Sequence, residues 1–183
     1  MSDPQPPQQG VRRIVTEVRA NGKSAIVEDG PTPAIITVPE RPGYVVSNVW
    51  VTTPTPAPIG QPDASLGHSG ILPPKNGTIL RVIEYPPEPA TKEEFDAMAR
   101  ATFKTIYGDI EHAPGEGSHG GMHTTETVDY AICLSGEITA VMDENETVMK
   151  AGDILIQRGT AHAWANRSGK PASIAFVLID GKF

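Results

Sequence analysis

The segment HGGMHTTETVDYAICLSGE, residues 119–137, sets the architecture of the chain. After its glycine pair it runs into a β-branched, apolar stretch that ends at Gly136, the pattern of a strand closed by a turn. Successive side chains of an extended strand point to opposite faces. His123, Thr125, Asp129, Ala131 and Cys133 then share one face, and Glu126, Tyr130, Ile132 and Leu134 share the other. Asp129 is therefore the acidic partner on the histidine side, although one bulge between 124 and 128 would exchange it for Glu126. Cys133, the one cysteine, lies in the apolar run YAICL and is expected as a small buried hydrophobe. A single cysteine excludes an internal disulfide framework and fits a reducing compartment, so a cytoplasmic location is expected.

Downstream the rhythm of strand and turn continues through EITAVMD, ETVMKAGD, ILIQRG, AHAWANRS and ASIAFVLID. Short strands separated by glycine or Asx turns predict an all-β barrel or sandwich. In GDILIQRGTAHAWANRS, Gly152-Asp153 and Arg158-Gly159 make two turns, after which His162 opens a strand that carries Trp164 and Asn166 on its own side. Two strands anchored by turns thus each deliver a histidine, and these are expected to converge inside one barrel.

Upstream, residues 1–10 are polar and proline-rich and are expected to be disordered. They lack the charged-then-apolar order of a secretory signal. Residues 11–110 are expected to form a strand extension (RRIVTEV, KSAIVED, AIITVPE, YVVSNVWVTT and GTILRVIEYPP), a proline-rich loop and a helix. The helix is TKEEFDAMARATFKTIYG, where Thr91 and Glu94 have capping-box spacing and Gly108 is the stop. Phe95, Met98, Phe103 and Ile106 are expected to dock it on a sheet rather than line a site. The helix and the loop at 54–62 are expected to cap the barrel mouth. Residues 111–183 form the barrel core.

The totals agree with one globular unit: 183 residues, 38% hydrophobic and 20% charged, with 18 Gly and 18 Pro favouring turns over long helices. A net charge of −7 without a basic cluster argues against a nucleic-acid partner. No apolar run approaches the roughly 20 residues that span a bilayer, so no membrane partner is expected. No segment fits a phosphate-binding loop or a dinucleotide fingerprint.

The two histidine segments together resemble the cupin superfamily, over about residues 115–181. In the first motif of that family, His123 takes the first histidine position, Thr125 stands where the second should be, and Asp129 is the carboxylate six residues before Gly136. In the second, Gly159, His162 and Asn166 match in spacing, while Gln157-Arg158 replaces a proline-containing pair. The resemblance implies a double-stranded β-helix, the cupin or jelly-roll barrel, with an N-terminal strand extension and one short helix. It also implies a homodimer, because single-barrel members usually pair.

Such barrels commonly hold a metal through three histidines and a glutamate. This chain would offer His123, Asp129 and His162, a set able to hold a divalent ion such as zinc, manganese or iron with open positions; a metal-free pocket is the alternative. Thr125, Arg158 and Trp164 are the candidate substrate contacts: a hydroxyl for a substrate oxygen, a guanidinium for a carboxylate, and an apolar wall for a ring or alkyl chain. His119 is expected as a solvated loop residue. The expected function is a metal-dependent lyase, a decarboxylase or dehydratase, acting on a small oxygenated molecule, aromatic or polyketide-like. A non-haem iron dioxygenase and a non-catalytic binding protein are the alternatives.

Overall fold

The computed structural model describes residues 10–112 and 114–183. Nearly all of the expected disordered segment, residues 1–9, lies outside them. Among the described residues eleven strands are formed: β1 (Arg12–Val18), β2 (Ser24–Pro31), β3 (Ala34–Thr37), β4 (Val45–Thr52), β5 (Thr78–Tyr85), β6 (Thr127–Ser135), β7 (Glu137–Met142), β8 (Glu146–Lys150), β9 (Ile154–Arg158), β10 (His162–Ala165) and β11 (Ala172–Asp180). One α-helix, α1 (Lys92–Ile106), lies between β5 and β6. Among the described residues the fold is all-β with a single α-helix, as the sequence predicts.

A six-stranded antiparallel sheet runs β3-β4-β5-β11-β6-β9, and a three-stranded sheet runs β10-β7-β8. From β6 onward the chain crosses between the two, with β6, β9 and β11 in the large sheet and β7, β8 and β10 in the small one. That alternation is the jelly-roll pattern. The space between holds a single apolar cluster, to which Ile79 and Ile174 contribute from the large sheet and Ile138 and Met149 from the small one. β1 and β2 form a separate hairpin. The barrel sheet also draws on both sides of residue 110, since β5 pairs with β11 from Tyr85↔Ala172 to Thr78↔Ile179.

Parity along β6 is kept. Thr127, Asp129, Ala131 and Cys133 are buried while Val128, Tyr130 and Leu134 are exposed. Between residues 128 and 132 the pairing of β6 with β9 runs without a shift. Asp129, not Glu126, is thus turned inward.

Helix α1 starts as its capping residues dictate, with the Glu94 N–H donating to Thr91 Oγ1 at 3.3 Å. Glu93 and Glu94 lie in its first turn and Lys104 in its last, each favourable to the helix dipole. Its buried stripe is Phe95, Ala99, Thr102, Phe103 and Ile106, whereas Met98 is half-buried. Residues 53–60 of the proline-rich loop are exposed.

Gly136 joins β6 to β7 at φ +72°, and a Cβ there would lie 2.6 Å from the Pro171 carbonyl oxygen. Gly169 has a similar φ of +75° but open space around it. Gly169→Ala should therefore lose about 1–2 kcal/mol from left-handed strain alone. Gly136→Ala should lose more, measured as a larger drop in urea midpoint.

Candidate functional site

His123 and His162 are joined by reciprocal backbone hydrogen bonds, each N–H donating to the other's carbonyl at 3.0 Å. This bridge lies just before β6 and at the start of β10, so it stitches the edge of the small sheet to the approach of the large one. It brings the imidazole rings to 4.4 Å between centroids, tilted by 48°. Phe103 closes on His123 at 5.1 Å and Trp164 on His162 at 5.9 Å, both edge to face. The sequence expectation that separate β-segments carry the two rings into one cavity is met.

Each ring is oriented from behind. His123 Nδ1 lies 2.9 Å from the Gly121 carbonyl; donating its proton there leaves Nε2 as a free lone pair. The Gly159 N–H donates to Gln157 Oε1 at 2.8 Å, so that Gln157 Nε2 faces Thr160 O and His162 Nδ1, each at 2.9 Å. His162 Nδ1 is also 2.9 Å from Thr160 O, so the ring is held from behind by both groups. Burial pushes the His123 pKa down to about 3, helped by the neighbouring His162. Burial lowers His162 too. Both rings are neutral bases at neutral pH.

The rings line a cavity of about 60 Å³, room for a few waters or a small molecule. Phe95, Phe103, Trp164, Phe176 and Leu178 form apolar walls. Asp129 is on the same cavity, and burial pushes its pKa up to about 6 against the opposing pull of Thr127 and Arg81. Its Oδ1 is buried without a hydrogen-bond partner. Thr125 lines the cavity as expected, its hydroxyl 2.8 Å from that of Thr127. Beside them the Tyr44 and Tyr107 hydroxyls meet at 2.8 Å.

Several expectations need correction. His123, Asp129 and His162 share the cavity wall, but among the described residues no group of three or more His, Cys, Asp or Glu side chains is close enough to hold a metal. Arg158 is exposed at the end of β9 and does not line the cavity, because Gln157, of opposite parity, takes the inward position. His119 is not a solvated loop residue: its Nε2 pairs with Glu88 Oε1 at 2.9 Å and its ring packs on Phe95 at 4.5 Å. Phe95 and Phe103 do both jobs, docking the helix and lining the site. The loop at 54–62 contributes nothing to the cavity wall.

Asn166 proves structural. It is buried, and its Nδ2 donates to the Tyr85 and Lys170 carbonyls at 2.8 Å each, tying the end of β10 to β5. Sequence reasoning missed Arg41 and Arg81, which both line the cavity. Arg81 carried a signal, since it shares the parity of Ile79, Ile83 and Tyr85, all buried. Arg41, in the turn ERPG, carried none. Thr127 was legible by the same parity that placed Asp129.

Residues 108–179 match the family described as Cupin domain. Phomopsin biosynthesis cluster protein C' of Diaporthe leptostromiformis is 43% identical over 68 residues, 36% of this chain and 36% of that protein. The cupin-domain-containing oxidoreductases srdD of Neurospora crassa and fogC of Aspergillus ruber are 36% identical over 72 residues and 39% identical over 75. These matches cover 37% of both chains for the first, and 39% of this chain and 36% of the relative for the second. The matched stretch spans little more than a third of each relative. Among solved structures, a Cupin 2 conserved barrel domain protein of Salinispora arenicola has a TM-score of 0.37 at 14% identity, over 56% of this chain and 63% of that one. A cupin-superfamily sugar phosphate isomerase of Silicibacter pomeroyi has a TM-score of 0.41 at 14% identity, over 76% of this chain and 61% of that one.

The buried titrating groups predict opposite pH effects on stability. Unfolded histidine takes a proton near pH 6.5, whereas folded His123 does so only near 3, so stability falls as pH drops below 6.5. His123→Gln should flatten that fall in urea midpoints between pH 6.5 and 4. Asp129 works in reverse: the fold holds its proton up to about pH 6, and this contribution disappears as pH rises from about 3.8 to 6. Asp129→Asn should stabilise the protein by up to about 3 kcal/mol more at pH 8 than at pH 3.5.

Proposed function

We propose that this cupin-domain protein is a small-molecule enzyme working by proton transfer, a lyase acting on a small oxygenated substrate. The observation that supports it is the pair of neutral imidazoles, His162 buried and His123 half-buried, with ring centroids 4.4 Å apart on an apolar cavity wall. A neutral imidazole offers a lone pair that can accept a proton, and His123, its pKa pushed down to about 3, hands that proton on readily. Apolar walls keep bulk water from protonating it before the substrate arrives. In the elimination we favour, the substrate carbon loses a proton to Nε2 of one imidazole. The β-hydroxyl then leaves as water carrying that proton, so the ring ends neutral and no oxidant or reductant is consumed. Like-charge repulsion prevents both rings from holding protons together, which favours return of the proton to product.

A second reading, an oxidoreductase, is supported by the names of the relatives from Neurospora crassa and Aspergillus ruber. It requires a redox partner, and it replaces the expected iron dioxygenase in more general form. A third, a non-catalytic binding protein, predicts ligand retention without turnover.

Chelation separates the first two. Lyase turnover should survive dialysis against EDTA, with metal content measured by elemental analysis before and after. Loss of activity on chelation, restored by iron together with oxygen uptake, would move the assignment to the oxidoreductase. His123→Ala and His162→Ala should each lower kcat by about 10²–10⁴-fold with a much smaller change in KM. Normal ligand binding by both variants, with no turnover by wild type, would favour the binding protein.

A further inference from the structure

Two arginines are buried against the same cavity, one on β5 and one in the turn before β4. Arg81 is 1% exposed and Arg41 7%. Guanidinium stays charged in any protein environment, and burying one without a counter-ion costs several kcal/mol. Yet among the described residues neither has a carboxylate within ion-pair distance, although exposed arginines such as Arg12 and Arg167 do. The Nε of each is buried without a hydrogen-bond partner. Arg81 Nη2 reaches the Gly70 carbonyl at 3.2 Å and His68 Nε2 at 3.3 Å. Arg41 lies over the Tyr44 ring at 4.2 Å, held in place by a π face and not by an anion.

Asp129, the one acid among the described residues that line the cavity, forms an ion pair with neither. Its Oδ1 is itself without a partner. The cavity therefore presents two fixed positive charges, one carboxyl group and a set of aromatic and aliphatic walls. What completes it is an anion small enough for about 60 Å³ with an apolar remainder. Planar, bidentate donors such as guanidinium match a planar carboxylate.

We propose that Arg41 and Arg81 form a carboxylate-binding subsite, and that the molecule held in this cavity is a small monocarboxylate with an apolar body. The inference deepens the functional reading above, since it rests on this cavity being the substrate site. The arginines grip the acid group, the aromatic walls take the apolar body, and the substrate is positioned with its reacting carbon toward the imidazoles.

Calorimetric titration of the whole chain tests this with isobutyrate and benzoate, against isobutyramide and benzamide as neutral matches and methylphosphonate as a different anion. The expected result is saturable binding of a carboxylate and none of its amide at tenfold higher concentration. Arg41→Gln should weaken that binding at least tenfold. Arg81→Lys, which keeps the charge but loses the planar fork, should also weaken it, and Asp129→Asn should tighten it by removing a competing negative charge. Without ligand, Arg41→Gln should melt at or above the wild-type temperature, because an uncompensated charge has been removed; a large drop would make Arg41 a structural residue and overturn the proposal. Equal binding of acid and amide, or binding of methylphosphonate alone, would overturn it as well. Carboxylate binding with undiminished turnover in His162→Ala would instead sink the proton-transfer reading and leave this one standing. Turnover of a neutral substrate without carboxylate binding would do the reverse.

Discussion

The arrangement depends on the pair of backbone hydrogen bonds between His123 and His162. Neither residue is placed by its own side chain. The polypeptide amides set the spacing, and the rings follow because facing residues on an antiparallel bridge put their side chains on the same side. The bonds from Gly121 and Thr160 then fix the orientation of each ring. A site built in this way is stiff, since a ring can shift only if the bridge between the two sheets opens.

Much of this was legible in the sequence where side-chain parity or turn chemistry decides. Alternation along residues 127–133 distinguished Asp129 from Glu126 without knowledge of the partner strands. Thr91 and Glu94 announced the helix start, and Gly136 and Gly159 announced turns that the fold needs at positive φ. Spacing between motifs identified which histidines meet but carried no distance along the strand, so the carboxylate was expected in a ligand set that the geometry does not form. Arg158 looked inward by its position in a motif, yet alternation gives that place to its neighbour Gln157. Arg41 reaches the cavity through tertiary packing alone, and no local pattern records that.

The electrostatics of the cavity oppose ordinary core logic. Burial holds two imidazoles neutral and favours a protonated carboxyl on Asp129, each a response that lowers the charge in an apolar interior. The guanidiniums of Arg41 and Arg81 cannot respond in that way. The result is a cavity in which two fixed guanidiniums outweigh one carboxyl group and two neutral imidazoles. Such imbalance weakens the fold, and proteins retain destabilising features of this kind where ligands are handled.

The wall of the cavity is assembled from two separate lengths of chain. The imidazoles, Asp129 and Trp164 lie within residues 108–179, the portion that matches the cupin family, while Arg41, Arg81, Phe95 and Phe103 precede it. Exchange of inward-facing residues on β5 or α1 leaves the hydrogen-bond ladder of β6 and the bridge at β10 untouched. Descendants of a duplicated gene can therefore diversify in what they grip while inheriting the same reactive centre, and the two halves of the pocket are free to evolve at different rates.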